Sequence, residues 1–142
     1  MLKKFTTADL RNFCIVGSGN SGKTSLTESI LFYAGVTTRK GNVEEGNTVT
    51  DFNEDEIERK ISINLSVVSF EYKNKKLNLI DTPGYADFIG EVYASVAVCE
   101  TGVLVIDSDS GLDASGENIW EILSENKKST IIFLNKIDKS HV

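Results

Sequence analysis

The sequence predicts a three-layer α/β domain: a mostly parallel sheet with helices on both faces and one antiparallel edge strand. Three observations lead there. The short runs 12–17, 102–107 and 130–135 are almost continuously apolar, as strands covered on both faces must be. Segments with apolar residues at helical spacing alternate with them. The loops richest in Gly, Pro, Asp and Asn each begin where an apolar run stops.

The elements follow in order. Residues 12–17 form a buried strand that runs into a glycine-rich loop, and 22–34 a helix with Leu26, Ile30 and Tyr33/Ala34 at helical spacing, stopped by Gly35. Residues 36–60 lack strong periodicity and carry an acidic cluster from Asp51 to Glu58. This is a long loop with a helical turn near 54–58, and loops of that length in a compact domain are usually functional or mobile. The acidic stretch reads as a solvated loop rather than a partner surface. Residues 61–71 and 77–81 make an antiparallel hairpin about the turn KNKK. After DTPGYADF, a helix is expected over 87–99 and a strand over 102–107. An amphipathic helix over 114–126 packs through Ile119, Trp120 and Leu123, and 130–135 is the last strand.

A chain of 142 residues fits one domain, expected to span 1–142. Fifteen basic against 21 acidic residues give a net charge of −6, which argues against a general polyanion-binding surface, so no direct DNA binding is expected. Cys14 and Cys99 lack metal-ligand spacing and no signal peptide is evident, so they read as reduced, buried thiols of a cytoplasmic protein. No apolar run reaches membrane-spanning length, so no membrane contact is expected. The single histidine, His141, stands at the extreme C-terminus, which argues against a histidine-based catalytic centre.

Three polar loops follow strands that are expected to be neighbours, and ligands of open parallel sheets bind at the carboxyl ends of strands. The first, GSGNSGKT at 17–24, satisfies G-x-x-x-x-G-K-[ST]. Gly17 and Gly22 let the backbone turn so that the N–H groups of Ser18, Gly19, Asn20 and Ser21 face an anion, and the helix beginning there adds its positive end toward Ser25. Lys23 is placed to reach terminal phosphates, and the Thr24 hydroxyl to ligate Mg²⁺. At roughly 7% glycine, a chance match in so short a chain is well below about 5%.

The second loop, DTPG at 81–84, is an ordinary turn when read alone. Beside the first loop it becomes the metal side of a nucleotide triphosphatase. Asp81 would hold Mg²⁺ through water, and the Gly84 N–H would meet a γ-phosphate. The third loop, NKID at 135–138, selects the base. A carboxylate at Asp138 accepts two N–H groups from guanine, whereas adenine would leave it unsatisfied, a mismatch that can discriminate by ~10⁴ or more. Asn135 would brace the phosphate loop and contact the other base edge, and the stem of Lys136 would lie over the ring. GTP and GDP are therefore expected ahead of ATP.

The stretches GSGNSGKTSLTESILFYAG, RKISI, DTPGYADFIGEV and FLNKIDK resemble the GTPase domain of the elongation factor G family, from about residue 8 to 140. The resemblance implies a translational GTPase that acts on the ribosome through the full-length protein, in translocation or recycling, as a monomer. Ribosome-protection and release-factor GTPases share these signatures. It also implies that Ser62, in place of the family's threonine, ligates Mg²⁺ and that its N–H meets the γ-phosphate. Where the family usually carries histidine after D-T-P-G, this chain has Tyr85. A phenol with pKa ~10 lacks an imidazolium's charge at neutral pH. Tyr85 either orients water through one hydrogen bond or packs on the loop, and weakened or differently timed hydrolysis is expected. An occupancy switch that hydrolyses little is the alternative function.

Two further departures lie in the phosphate loop. Gly19 replaces a larger apolar residue, which could make room for Tyr85. Asn20 replaces the usual aspartate, and could either ligate an activating K⁺ or simply stabilise the loop, the latter being favoured. The chain also stops four residues after Asp138, so the family's final base-contacting loop and later domains are expected to be absent, leaving TIIFLN as a sheet edge.

Overall fold

The computed structural model describes residues 5–138, so His141 lies outside the described residues. Nine principal elements follow in order: β1 (Leu10–Val16), α1 (Lys23–Tyr33), α2 (Glu54–Arg59), β2 (Ser66–Tyr72), β3 (Lys75–Asp81), α3 (Ile89–Val98), β4 (Thr101–Asp107), α4 (Ala114–Glu125) and β5 (Ser129–Asn135). Short 3₁₀ turns over Thr7–Asp9, Val43–Glu45 and Ala86–Phe88 join them.

The five strands lie in the order β2-β3-β1-β4-β5. All pairings are parallel except β2 with β3, so the expected antiparallel edge strand is β2. Alternation along the strands sends side chains into two cores. Cys14, Val16, Ile80 and Leu104 face α3 and α4, where they meet Val92, Val96, Ile119, Ile122 and Leu123. Ile15, Leu79 and Val105 face the other way, toward Leu31, Leu26 and Ile30 of α1. Helices on both faces are what near-continuous apolar strands require. Cys14 and Cys99 are both buried and unbridged.

Four local expectations are corrected. The strand expected from residue 61 begins at Ser66, because the preceding N–H groups have other partners: Ile63 and Asn64 donate to the Glu56 carboxylate, and Leu65 to Glu91. The hairpin turn is two residues, Lys73 and Asn74, both at positive φ, and Lys75 and Lys76 belong to β3. Tyr33 does not join the apolar face of α1 but is 85% exposed, and the fully buried side chain there is Leu31. Trp120 is 43% exposed, while Ile119, Ile122 and Leu123 carry the contact of α4 with the sheet.

The helical turn expected near 54–58 is α2, closed by a capping box between Asn53 and Glu56. At the sheet edge formed by β5 among the described residues, Ile131, Ile132 and Leu134 are each more than half exposed. No helix among the described residues is long and apolar enough to cross a membrane.

Candidate functional site

β1, β3, β4 and β5 run parallel, so the loops at their carboxyl ends open on one rim. The loop after β1 turns through Gly17 at φ +147° and Gly22 at φ +94°, conformations that side chains rarely adopt. A Cβ at Gly17 would overlap the Val105 carbonyl, and one at Gly22 would overlap Asn135 Nδ2. Gly22 is the N-cap of α1, so the helix's free N–H groups open into the loop. Lys23 and Thr24 are the first helical residues, only 5% and 8% exposed, and Ser21 is buried beside them.

The Lys23 ammonium donates to the Ser18 carbonyl at 2.8 Å. Burial lowers its pKa to about 8, against the pull of Asp81, Asp51 and Asp113, which favour the charge. A buried cation parked on a backbone carbonyl is ready to trade that partner for an anion. Gly84 comes so close that a Cβ there would overlap Lys23 Nζ and lie 2.8 Å from the Gly19 nitrogen. The backbone after β3 therefore approaches the phosphate loop to within a distance only glycine permits.

Oxygen donors gather on the other side of Lys23. Thr24 Oγ1 and Ser62 Oγ are 3.1 Å apart. Asp81 is buried; its Oδ2 accepts from Thr50 Oγ1 at 2.9 Å, while its Oδ1 is buried with no hydrogen-bond partner. Burial pushes this carboxyl up to about 6, opposed by the Thr50 bond and the Lys23 charge. Asp51, expected in a solvated loop, is only 6% exposed. Burial raises its pKa against hydrogen bonds from the Ser62 and Thr24 hydroxyls. Two hydroxyls and two carboxylates, one with an orphaned oxygen, suit a hard cation such as Mg²⁺ that keeps some water and takes its remaining ligands from phosphate.

The base-side loop reaches the same place. Asn135 Nδ2 donates to the Ser21 carbonyl at 2.9 Å, and Lys136 Nζ to the Asn20 carbonyl at 2.6 Å. Asp138 lies two residues on, in an exposed turn. Tyr85, 40% exposed, sets its ring over Gly19, where a Cβ would lie 3.3 Å from Tyr85 Cζ. A cavity of about 290 Å³ is bounded by Gly19, Lys23, Thr24, Ser62, Gly84 and Tyr85 and extends to Lys136. A larger, apolar trough of about 570 Å³ between α1 and the sheet, lined by Leu26, Ile30, Phe70, Leu77 and Phe133, is not lined by Lys23, Thr24, Ser62 or Asp81.

Several site residues were not apparent from the sequence. Glu28 of α1, 1% exposed, accepts from the N–H groups of Gly41 at 2.9 Å and Val49 at 2.6 Å. Glu56 accepts from Asn53, Ile63 and Asn64 on either side of Ser62. Burial opposes its charge, but these N–H groups outweigh it and hold the carboxyl below its ordinary range. Glu28 thus ties Gly41 and Val49 of the long loop to α1, while Glu56 folds the segment from Asn53 to Asn64 on itself around Ser62. Asp113, the N-cap of α4, accepts from the Ser18 hydroxyl and from Gly116 N.

An anion cradle faced by oxygen donors, at the carboxyl rim of a parallel sheet, defines the class: a phosphate-loop nucleotide-binding domain. Within that class the match is specific. Residues 8–141 fit the family described as the elongation factor Tu GTP binding domain, and the chain belongs to it. Similar curated proteins include the mitochondrial ribosome-releasing factor 2 of Schizosaccharomyces pombe, 42% identical over 130 residues, and that of Bos taurus, 42% identical over 132. These alignments cover 92% and 93% of this chain but 16% and 17% of those proteins, so the chain spans about one sixth of their length. A solved protein from Thermus thermophilus superposes with a TM-score of 0.90 at 28% identity, over 95% of this chain and 20% of that one. A bacterial selenocysteine-specific elongation factor shares the fold, with a TM-score of 0.73 at 23% identity over 90% of this chain and 20% of that one.

Proposed function

We propose that this domain binds GTP and hydrolyses it to GDP to drive a ribosomal step, recycling or translocation, in the protein that carries it. One observation carries the reading: the loops of Lys23, Asp81 and Asn135–Lys136 meet on one rim around a cavity of about 290 Å³. The names of the relatives favour ribosome release as the step. Those names also assign the relatives to mitochondria, so the compartment proposed is any that holds ribosomes, cytoplasm or organelle matrix.

The geometry supports a role for each residue of the site. Gly17 through Ser25 would wrap the phosphates with N–H groups, and Lys23 would leave the Ser18 carbonyl to meet the β- and γ-phosphates. Thr24 and Ser62 would ligate Mg²⁺ directly, with Asp81 and Asp51 holding its waters. When bound, that ion would neutralise phosphate charge. Gly84 would donate its N–H to the γ-phosphate, and Asp138 would take the guanine N1 and N2 protons. Tyr85, beside Gly19 and Gly84, would orient the attacking water by one hydrogen bond. For Asn20, the backbone favours the plainer role. Its φ of 60° is a conformation that asparagine tolerates better than most residues, which supports the loop-stabilising role over K⁺ ligation.

Hydrolysis is separated from mere occupancy by multiple-turnover GTP hydrolysis of the full-length protein with and without ribosomes. Turnover stimulated by ribosomes is expected; stoichiometric binding without turnover would make the protein an occupancy switch.

A further inference from the structure

We infer that Asp107 is a positioning residue for Lys136, an addition that rests on the guanine-nucleotide reading above. Asp107 ends β4 and is in register with Asn135, the end of β5, so the two strands deliver both side chains to the same point of the rim. Lys136 follows at φ 59°, a left-handed turn that returns its side chain over the sheet end. Its ammonium is then held twice: by Asp107 Oδ2 at 2.8 Å and by the Asn20 carbonyl at 2.6 Å. The pair is largely shielded, with the Asp107 side chain 13% and the Lys136 side chain 32% exposed. Such a pair holds its geometry better than one in open solvent.

Asp107 is itself fixed. Its Oδ1 accepts from Asp109 N at 3.0 Å, its carbonyl accepts from Gly111 N at 2.8 Å, and Ser108 N donates to the Asn135 carbonyl at 3.0 Å. The same connection, from Asp107 to Asp113, also grips the phosphate loop at Ser18 through Asp113. One short segment after β4 therefore holds the loop at two points, at Ser18 directly and at Asn20 through Lys136.

The consequence concerns the base. With its ammonium pinned, the four-carbon stem of Lys136 is stretched along the path where the guanine ring would lie, and needs no reordering when nucleotide arrives. Without Asp107 the ammonium keeps one partner and the stem is free to swing. Phosphate binding rests on the loop N–H groups and Lys23, and the pair meets that loop only at the Asn20 carbonyl, so it bears on the base more than on the phosphates.

The test is GDP dissociation, followed by stopped flow with a fluorescent GDP, from the full-length protein with Mg²⁺. Asp107→Asn retains an acceptor for the Asp109 N–H but puts an NH2 donor where Oδ2 accepted from Lys136, and should release GDP about tenfold faster. Competition by tripolyphosphate, which has no base, should stay within about twofold, a split that general loosening of the fold would not give. Asp107→Ser is the second variant, with the same expectation. In a Lys136→Met background, either substitution should add nothing further. If wild-type protein binds GDP and the Asp107 variants release it at the wild-type rate, or lose tripolyphosphate equally, the inference is overturned. A wild-type protein that takes up no GDP overturns the functional reading and this inference with it.

Discussion

The Tyr85 ring lies against Gly19, with Tyr85 Cζ 3.3 Å from where a Cβ at residue 19 would stand. Gly19 has no positive φ, so the space and not the backbone excludes a side chain there. A Cβ alone would force the ring to give by a few tenths of an ångström, and a β-branched residue would displace it outright. Gly19→Val should therefore lower ribosome-stimulated GTP turnover about tenfold while GDP affinity stays within about threefold, since the loop N–H groups are untouched. Unaltered turnover would separate Tyr85 from the chemistry and leave it a packing residue.

Gly22 carries a different constraint. At φ +94° any side chain is strained, and a Cβ would overlap Asn135 Nδ2, breaking the 2.9 Å bond by which Asn135 braces the Ser21 carbonyl. Gly22→Ala should cost about 1–3 kcal/mol in folding stability and at least ~tenfold in GDP affinity. Urea unfolding and nucleotide titration of the full-length protein check both.

Much of this site was legible in sequence because its signals are local. A phosphate loop is written in eight consecutive residues, and strands buried on both faces announce themselves as apolar runs. The carboxylates that hold the long loop were not legible, for a physical reason. Asp51 and Glu56 lie in a run of acids that reads as solvated, and Glu28 falls on a helix among polar neighbours. What satisfies them once buried is a set of donors beyond helical spacing: Gly41 and Val49 for Glu28, Ile63 and Asn64 for Glu56. The late start of β2 at Ser66 has the same origin, since Glu56 and Glu91 take the N–H groups that a longer strand would have used. Tyr33 and Trp120 were misplaced because helical spacing fixes a face only to within a residue.

Glu56 gives a direct test of the loop clamp. Glu56→Gln keeps one acceptor oxygen where a carboxylate served Asn53, Ile63 and Asn64, a loss of about 1.5–3 kcal/mol locally. Trypsin should then cut after Arg59 and Lys60, both exposed, about tenfold faster, with cut sites read by mass spectrometry. Equal cleavage would mean that other contacts order this loop.

Asp81 should make the nucleotide-free protein less stable as pH rises. Its folded pKa, about 6, lies above the ordinary 3.8, so the folded state binds the extra proton. Stability from this group is fully present below pH 3.8 and is lost as pH rises through about 6. That gap already includes the opposing pull of Lys23 and corresponds to about 3 kcal/mol, the upper bound on the gain from Asp81→Asn at pH 7. The variant should match wild type at pH 4, exceed it at pH 7, and lose the Mg²⁺ dependence of GDP affinity. Parallel stability profiles for the two proteins would contradict the burial argument.

Selection of the base at Asp138, by a rim that also cradles phosphate, is tested most directly by nucleotide competition on the full-length protein with Mg²⁺. A fluorescent GDP should bind and be displaced by GTP and GDP at comparable concentrations, while ATP should fail even at about a hundredfold excess. Displacement by ATP as readily as by GTP, or no uptake of guanine nucleotide at all, would contradict it.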